Sequence, residues 1–150
     1  METKRLNNVP GLMFLWQVDN LLLAGQPDEE SFETLKEMGV TKVFNLRGES
    51  EMDFSFEKEA CERLRMGYVQ FPLVEAGQLI PENCEKLSNM IDENEKWFIH
   101  CGSANRIAGW LMTYLTKYRK MTFEQATEIA MNNGLSNPGF IEQARQIVNS

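Results

Sequence analysis

The sequence predicts an α/β fold, with a mostly parallel central sheet of four to five strands flanked by about six helices. Three observations predict it. Short apolar or β-branched runs alternate with segments of helical spacing through the middle of the chain, the pattern of strands joined by crossover helices. Glycine, proline and asparagine punctuate the joints, at Gly25-Gln26-Pro27, Gly39, Gly67, Pro81 and Asn132-Asn133-Gly134. The 150 residues, 43% of them hydrophobic, suit one domain over 1–150 that buries roughly 70% of its unfolded surface. No linker, repeat or low-complexity segment divides them.

Leu12 to Val18 and Leu21 to Ala24 read as two short strands about a turn at Asp19-Asn20. Phe32, Leu35 and Met38 mark a helix that stops at Gly39. Thr41 to Leu46 is a β-branched and apolar strand. Phe56, Ala60 and Leu64 recur at helical spacing up to Gly67, and Tyr68 to Val74 reads as a further strand. Pro81 suits the first turn of a helix, where its missing N–H costs nothing, and Cys84, Leu87 and Ile91 are that helix's apolar positions. Trp97 to His100 is a buried strand. Ile107, Trp110, Leu111, Tyr114, Leu115 and Tyr118 form one broad apolar face of the next helix, with the Trp110, Tyr114 and Tyr118 stripe reading as core packing. Helices over Phe123 to Met131 and Pro138 to Val148 follow.

Fifteen basic residues against 22 acidic ones leave a net charge of −7. That argues against a nucleic-acid or anionic-membrane partner, which would engage a basic face. Any anion site must therefore be local. Cys61, Cys84 and Cys101 show neither a disulfide framework nor zinc-type spacing. Met1-Glu2-Thr3-Lys4-Arg5 lacks the apolar core of a signal peptide, and no apolar run approaches the ~18 residues of a membrane span. A soluble, cytoplasmic protein in a reducing compartment is expected, with no cofactor and no metal; the oligomeric state stays open.

The chemistry concentrates in Trp97-Phe98-Ile99-His100-Cys101-Gly102-Ser103-Ala104-Asn105-Arg106. A strand ends in a cysteine, four small or polar residues turn the chain, and an arginine opens a helix. A thiol there sits among backbone N–H groups with no intrahelical partner, at the positive end of a helix dipole, and both effects favour the thiolate. The same N–H groups beside a guanidinium make a cradle for a tetrahedral oxyanion. Nucleophile and anion site share one loop, which points to covalent phosphoryl chemistry. Arg106 occupies a first turn where acids are preferred, which favours an anion role over pairing with a helix carboxylate. A buried structural thiol is the plain alternative for Cys101.

The C-x4-R spacing is shared by two families. Many rhodanese-type sulfurtransferases carry a cysteine loop of this length, and cysteine-dependent phosphatases carry the longer C-x5-R. The first half of the chain distinguishes them. Leu23-Ala24-Gly25-Gln26-Pro27, Val43-Phe44-Asn45-Leu46-Arg47-Gly48-Glu49, Phe71-Pro72-Leu73 and Ile80-Pro81-Glu82-Asn83, followed by C-x4-R, closely resemble a bacterial phosphatase-like family. It is the family often labelled beta-lactamase hydrolase-like, a relative of the dual-specificity phosphatases with a shortened loop. The resemblance runs from Leu21 to Leu115.

This resemblance implies the fold of the cysteine-dependent protein tyrosine phosphatases and a cysteine-dependent phosphomonoesterase activity. Cys101 would attack phosphorus and form a cysteinyl-phosphate. The amides of Gly102, Ser103, Ala104, Asn105 and Arg106, with the Arg106 guanidinium, would hold the equatorial oxygens until water hydrolyses the intermediate. The partner would be a phosphorylated protein or a small phosphomonoester. No metal enters, and the chain's one histidine cannot build a metal-hydrolase site.

Two departures from the family pattern bear on turnover. The loop that should carry an aspartate general acid, Phe71 to Gln78, has none; Glu75 is the stand-in, with Gly77 supplying mobility. Glu82 and Asp92 are weaker acids for the role. Ile107 stands where longer-loop relatives place a serine or threonine, a lack that Ser103 offsets unless it only suits the turn. Arg47 either widens the basic patch or pairs with Glu49 or Glu51, and Gln26 shapes its own turn. His100 is expected to turn away from the cysteine and fix the loop by a hydrogen bond. Cys84 reads as inert, and Cys61 as a resolving thiol only if it lies near Cys101. Three functions follow: a phosphomonoesterase, a catalytically weak phosphate-binding module, or sulfur transfer through a Cys101 persulfide.

Overall fold

A computed structural model describes residues 2–6, 9–12 and 15–150. Its main sheet contains β1 (Thr3–Leu6), β2 (Leu15–Val18), β3 (Leu21–Ala24), β4 (Val40–Asn45), β5 (Gly67–Gln70) and β8 (Lys96–His100), in the order β1-β2-β3-β8-β4-β5. The pairs β3–β8, β8–β4 and β4–β5 are parallel, while β1–β2 and β2–β3 are antiparallel. Among the described residues six helices flank this sheet: α1 (Ser31–Glu37), α2 (Ser55–Leu64), α3 (Pro81–Met90), α4 (Asn105–Lys117), α5 (Phe123–Asn132) and α6 (Gly139–Val148). Among the described residues no helix is long and apolar enough to cross a membrane.

The central strands are buried on both sides, so alternate residues feed two cores. Leu21, Leu23, Phe44, Trp97 and Ile99 face α3 to α6, where they meet Cys84, Leu87, Trp110, Leu111, Ala126 and Ala144. Leu22, Ala24, Val43 and Phe98 face α1 and α2, against Phe32, Leu35, Ala60 and Cys61. Helix α4 is buried without interruption from Ile107 to Leu115, because α3, α5 and α6 cover what the sheet does not. Trp110, Tyr114 and Tyr118 stack in series at 5.1 and 5.9 Å, and Trp110 Nε1 donates to Ser88 Oγ at 2.9 Å.

Beyond shifts of a residue at element ends, the structure departs from the sequence reading at three places. The strand expected over Leu12 to Val18 is described from Leu15; Met13 and Phe14 lie outside the described residues. An extra edge strand, β1, pairs with β2 although its Thr-Lys-Arg-Leu sequence is largely exposed. The strand expected over Tyr68 to Val74 breaks after Gln70, since Pro72 cannot donate to a ladder. Val74–Glu75 (β6) instead forms a hairpin with Gln78–Leu79 (β7). Its two-residue turn has φ of 51° at Ala76 and 79° at Gly77, the primed geometry that matches strand twist.

Candidate functional site

Strand β8 lies in the middle of the sheet between β3 and β4, and Cys101 follows its carboxyl end, the position where open α/β sheets place ligands. The backbone fixes this end from both sides. Cys101 N–H donates to Ala24 O at 3.3 Å, and Leu46 N–H donates to His100 O at 2.9 Å. Gln26 N–H donates to Gly102 O at 3.1 Å. The Ala-Gly-Gln and Asn-Leu-Arg segments are thus the two supports of the loop.

Ala104 turns the chain into α4 with a left-handed φ of 75°, which costs a non-glycine residue about 1–2 kcal/mol. No side chain caps this helix and no acid lies in its first turn. Its first N–H groups are free for a sulfur or an anion. Cys101 is fully buried. Burial pushes its thiol up, and the N–H groups of Ile107, Ala104 and Arg106, with the Arg106 charge, pull it back without cancelling that effect. The helix terminus and the N–H groups favour the thiolate as the sequence reading expects, and burial, the buried-thiol alternative, is the larger of the opposing effects.

The arginines are held by one carboxylate. Arg106 Nη1 donates to Glu51 Oε2 at 2.8 Å, and Arg47 Nε donates to Glu51 Oε1 at 2.9 Å. Gly48 N–H adds a third bond to Glu51 at 2.7 Å. The bond from Arg106, the largest influence, holds the Glu51 carboxyl down at about 2, assisted by Gly48 and Arg47. Arg47 also flanks the loop: a Cβ on Gly102 would stand 3.9 Å from its guanidinium carbon. The sequence left pairing and patch-widening as alternatives for Arg47, and the geometry shows the pairing, with Glu51, beside the loop.

Of the other loop side chains Ala104 is buried, and Ser103 and Asn105 reach the surface. Asn105 Oδ1 accepts from Ser136 N–H at 2.7 Å and Asn137 N–H at 2.9 Å, tying the loop to the α5–α6 connection. Ser103 Oγ accepts from Asn105 Nδ2 at 3.3 Å and lines a groove with Trp16, Met131 and Leu135. Glu75 is exposed on β6, and its carboxylate makes no hydrogen bond or ion pair among the described residues. Its hairpin is braced by Gln143, which accepts from Leu79 N–H at 2.7 Å and donates to Gly77 O at 3.1 Å. Glu82 is exposed in the first turn of α3, and Asp92 accepts from Asn94 N–H.

His100 projects to the opposite face of the sheet from Cys101, its ring 5.7 Å from Phe98. Its Nε2 lies 2.7 Å from Oε1 of Glu57, and both side chains are fully buried. Sequence reasoning missed Glu57. Within Ser-Phe-Glu-Lys-Glu-Ala it looks like any solvated helix charge, and only its i, i+3 spacing to the buried Ala60 hints otherwise. Cys61 packs on this same face, in a different core from Cys101, whereas Cys84 shares the core of Cys101. All three thiols are free and buried.

No protein-family model matches the chain, and no curated protein matches it by sequence. Its fold is similar to that of solved phosphatase structures. A phosphatase candidate of the DUF442 group from Shewanella putrefaciens CN-32 aligns over 94% of this chain and 95% of its own, with a TM-score of 0.74 and 23% identity. Tk-PTP in its active form covers 86% of this chain and 91% of its own, with a TM-score of 0.73 and 14% identity. TpbA of P. aeruginosa, solved as a cysteine-to-serine variant in complex with pTyr, covers 91% and 83%, with a TM-score of 0.70 and 14% identity. The chain therefore has the mixed α/β fold of the protein tyrosine phosphatases.

Proposed function

We propose that this protein is a cysteine-dependent phosphomonoesterase acting in the cytoplasm. One observation carries the reading: Cys101 sits at the foot of an uncapped helix N-terminus, between backbone N–H groups and the Arg106 guanidinium. The thiolate attacks phosphorus in line with the leaving oxygen, forming an S–P bond as the P–O bond breaks. Amides of Gly102 to Arg106 and the Arg106 guanidinium bind the equatorial oxygens, where charge is spread in the transition state. Glu75 delivers a proton to the departing oxygen, and water then cleaves the S–P bond to release phosphate and the thiolate. Glu51 keeps its hydrogen bond from Arg106 Nη1 and leaves the other N–H groups of the guanidinium for the dianion, and Arg47 extends the positive rim. Aryl phosphates, whose leaving groups need least protonation, are the favoured substrates.

The test is phosphate release from para-nitrophenyl phosphate by wild type and Cys101→Ser. Activity that vanishes with the sulfur supports the reading, and Glu75→Gln should slow alkyl phosphates more than aryl ones. A second reading, a phosphate-recognition module with little turnover, is favoured by the buried, raised thiol and by Ile107 in place of a hydroxyl. It predicts vanadate binding that Arg106→Ala abolishes, with no phosphate released.

A further inference from the structure

Glu57 has no exposed surface and uses both carboxylate oxygens. Oε1 meets His100 Nε2 at 2.7 Å, and Oε2 accepts from Gln26 Nε2 at 2.8 Å. Gln26 Oε1 in turn accepts from Arg47 Nη1 at 2.9 Å. Arg47 and Arg106 then share Glu51. An unbroken line of hydrogen bonds therefore runs from the residue before the nucleophile, on one face of the sheet, to the loop arginine.

The line has a sense. The Gln26 amide is fixed at both ends, its NH₂ toward a carboxylate and its C=O toward a guanidinium, and reversing it would oppose like groups at each. A buried carboxylate persists only when paired, and here its partners are an imidazole and that amide.

We propose that Glu57 is a positioning residue for the anion site: it sets the sense of the Gln26 amide, Gln26 aims Arg47, and Glu51 passes that placement to Arg106. This rests on reading the Cys101 loop as an oxyanion site. A side chain that merely satisfied His100 would have no influence on the arginines.

Glu57→Gln separates the two roles, since it preserves shape and replaces one acceptor by a donor. If the new amide gives its C=O to His100 Nε2–H, its NH₂ opposes that of Gln26, which must flip and turn its own NH₂ on Arg47. The other orientation would place the imidazole proton on Nδ1, which is buried without a partner among the described residues. The first is therefore favoured, and Arg47 loses its acceptor. Adding Gln26→Glu restores the order, because the carboxylate it brings accepts both from the amide introduced by Glu57→Gln and from Arg47.

Two readouts test this: vanadate affinity by calorimetry, and the Arg47 Nε–H resonance in nitrogen-correlated NMR. Glu57→Gln should weaken vanadate binding about tenfold and shift or broaden the Arg47 signal, and the double variant should recover both. Wild-type affinity and an unmoved signal in Glu57→Gln, or no recovery in the double variant, overturns the proposal. Wild type that binds no vanadate overturns the oxyanion reading itself, while the Arg47 resonance still decides the relay. Should Glu57→Gln fail to fold, Gln26→Met cuts the same line outside the core and predicts the same loss.

Discussion

Gly25 packs directly against the carbonyl oxygen of Gly102: a Cβ at Gly25 would stand 2.8 Å from it. The only residue that fits at this contact is one without a side chain, and the contact is what lets Gln26 N–H reach the same oxygen. Gly25→Ala must push the loop carbonyl away. We expect a loss of about 1–3 kcal/mol in urea unfolding, as for overpacked sites, together with weakened oxyanion binding. Unchanged binding would mean that the loop is not seated by the Ala-Gly-Gln segment.

Glu51 makes stability depend on acid pH. Its carboxyl is held at about 2 in the folded chain against 4.5 unperturbed, so the folded state releases its proton more readily than the unfolded one. The stabilisation is complete above 4.5 and disappears as pH falls toward 2. Glu51→Gln should be less stable than wild type at neutral pH by about 1 kcal/mol, a value that allows for solvent screening of a partly exposed group. The two unfolding curves should converge near pH 2. Parallel curves throughout would show that the carboxylate charge contributes nothing.

Buried thiols set the alkaline limit. Burial pushes Cys84 up to about 12, and burial followed by the Glu57 charge does the same to Cys61. Both stay neutral in the folded chain while their unfolded counterparts ionise near 9, so stability present below pH 9 is lost as pH rises toward 12. Tyr68, raised to about 12 chiefly by burial, adds to the slope above its ordinary 10. Urea midpoints measured from about pH 8 upward should fall, and Cys84→Ala should fall less steeply from a starting value about 1 kcal/mol lower.

Arg106 lowers the Cys101 thiol through its charge and backbone N–H, opposing the dominant effect of burial. Arg106→Ala removes that charge and should raise the thiol further, so alkylation of Cys101 by iodoacetamide at a given pH should slow. Faster alkylation in the variant would show that access, not charge, governs this sulfur.

The sheet was legible because its signals are local. Leu21 to Ala24, Thr41 to Leu46 and Trp97 to His100 are apolar runs bounded by turn residues, and all three became inner strands. The loop was legible because cysteine, small residues and arginine lie within six consecutive positions. What escaped depended on distant partners. β1 is a polar edge strand held by pairing with β2, and the Ala76-Gly77 turn lacks the Asn-Gly signature of its geometry. Glu57 is separated by 43 residues from His100, and Glu51 by 55 from Arg106, so no window of sequence shows either pairing. For Cys101 the sequence left both a helix terminus and a buried thiol open, because the extent of burial is set by the packed core around it.

The central claim is a covalent phosphoryl intermediate on Cys101. The direct measurement is acid quenching during turnover of an aryl phosphate, followed by peptide mass analysis. The account predicts that the Cys101 peptide alone gains the mass of one phosphoryl group, and that Cys101→Ser and Arg106→Ala show none. Phosphate release that persists in Cys101→Ser, without a modified cysteine peptide in wild type, would contradict it.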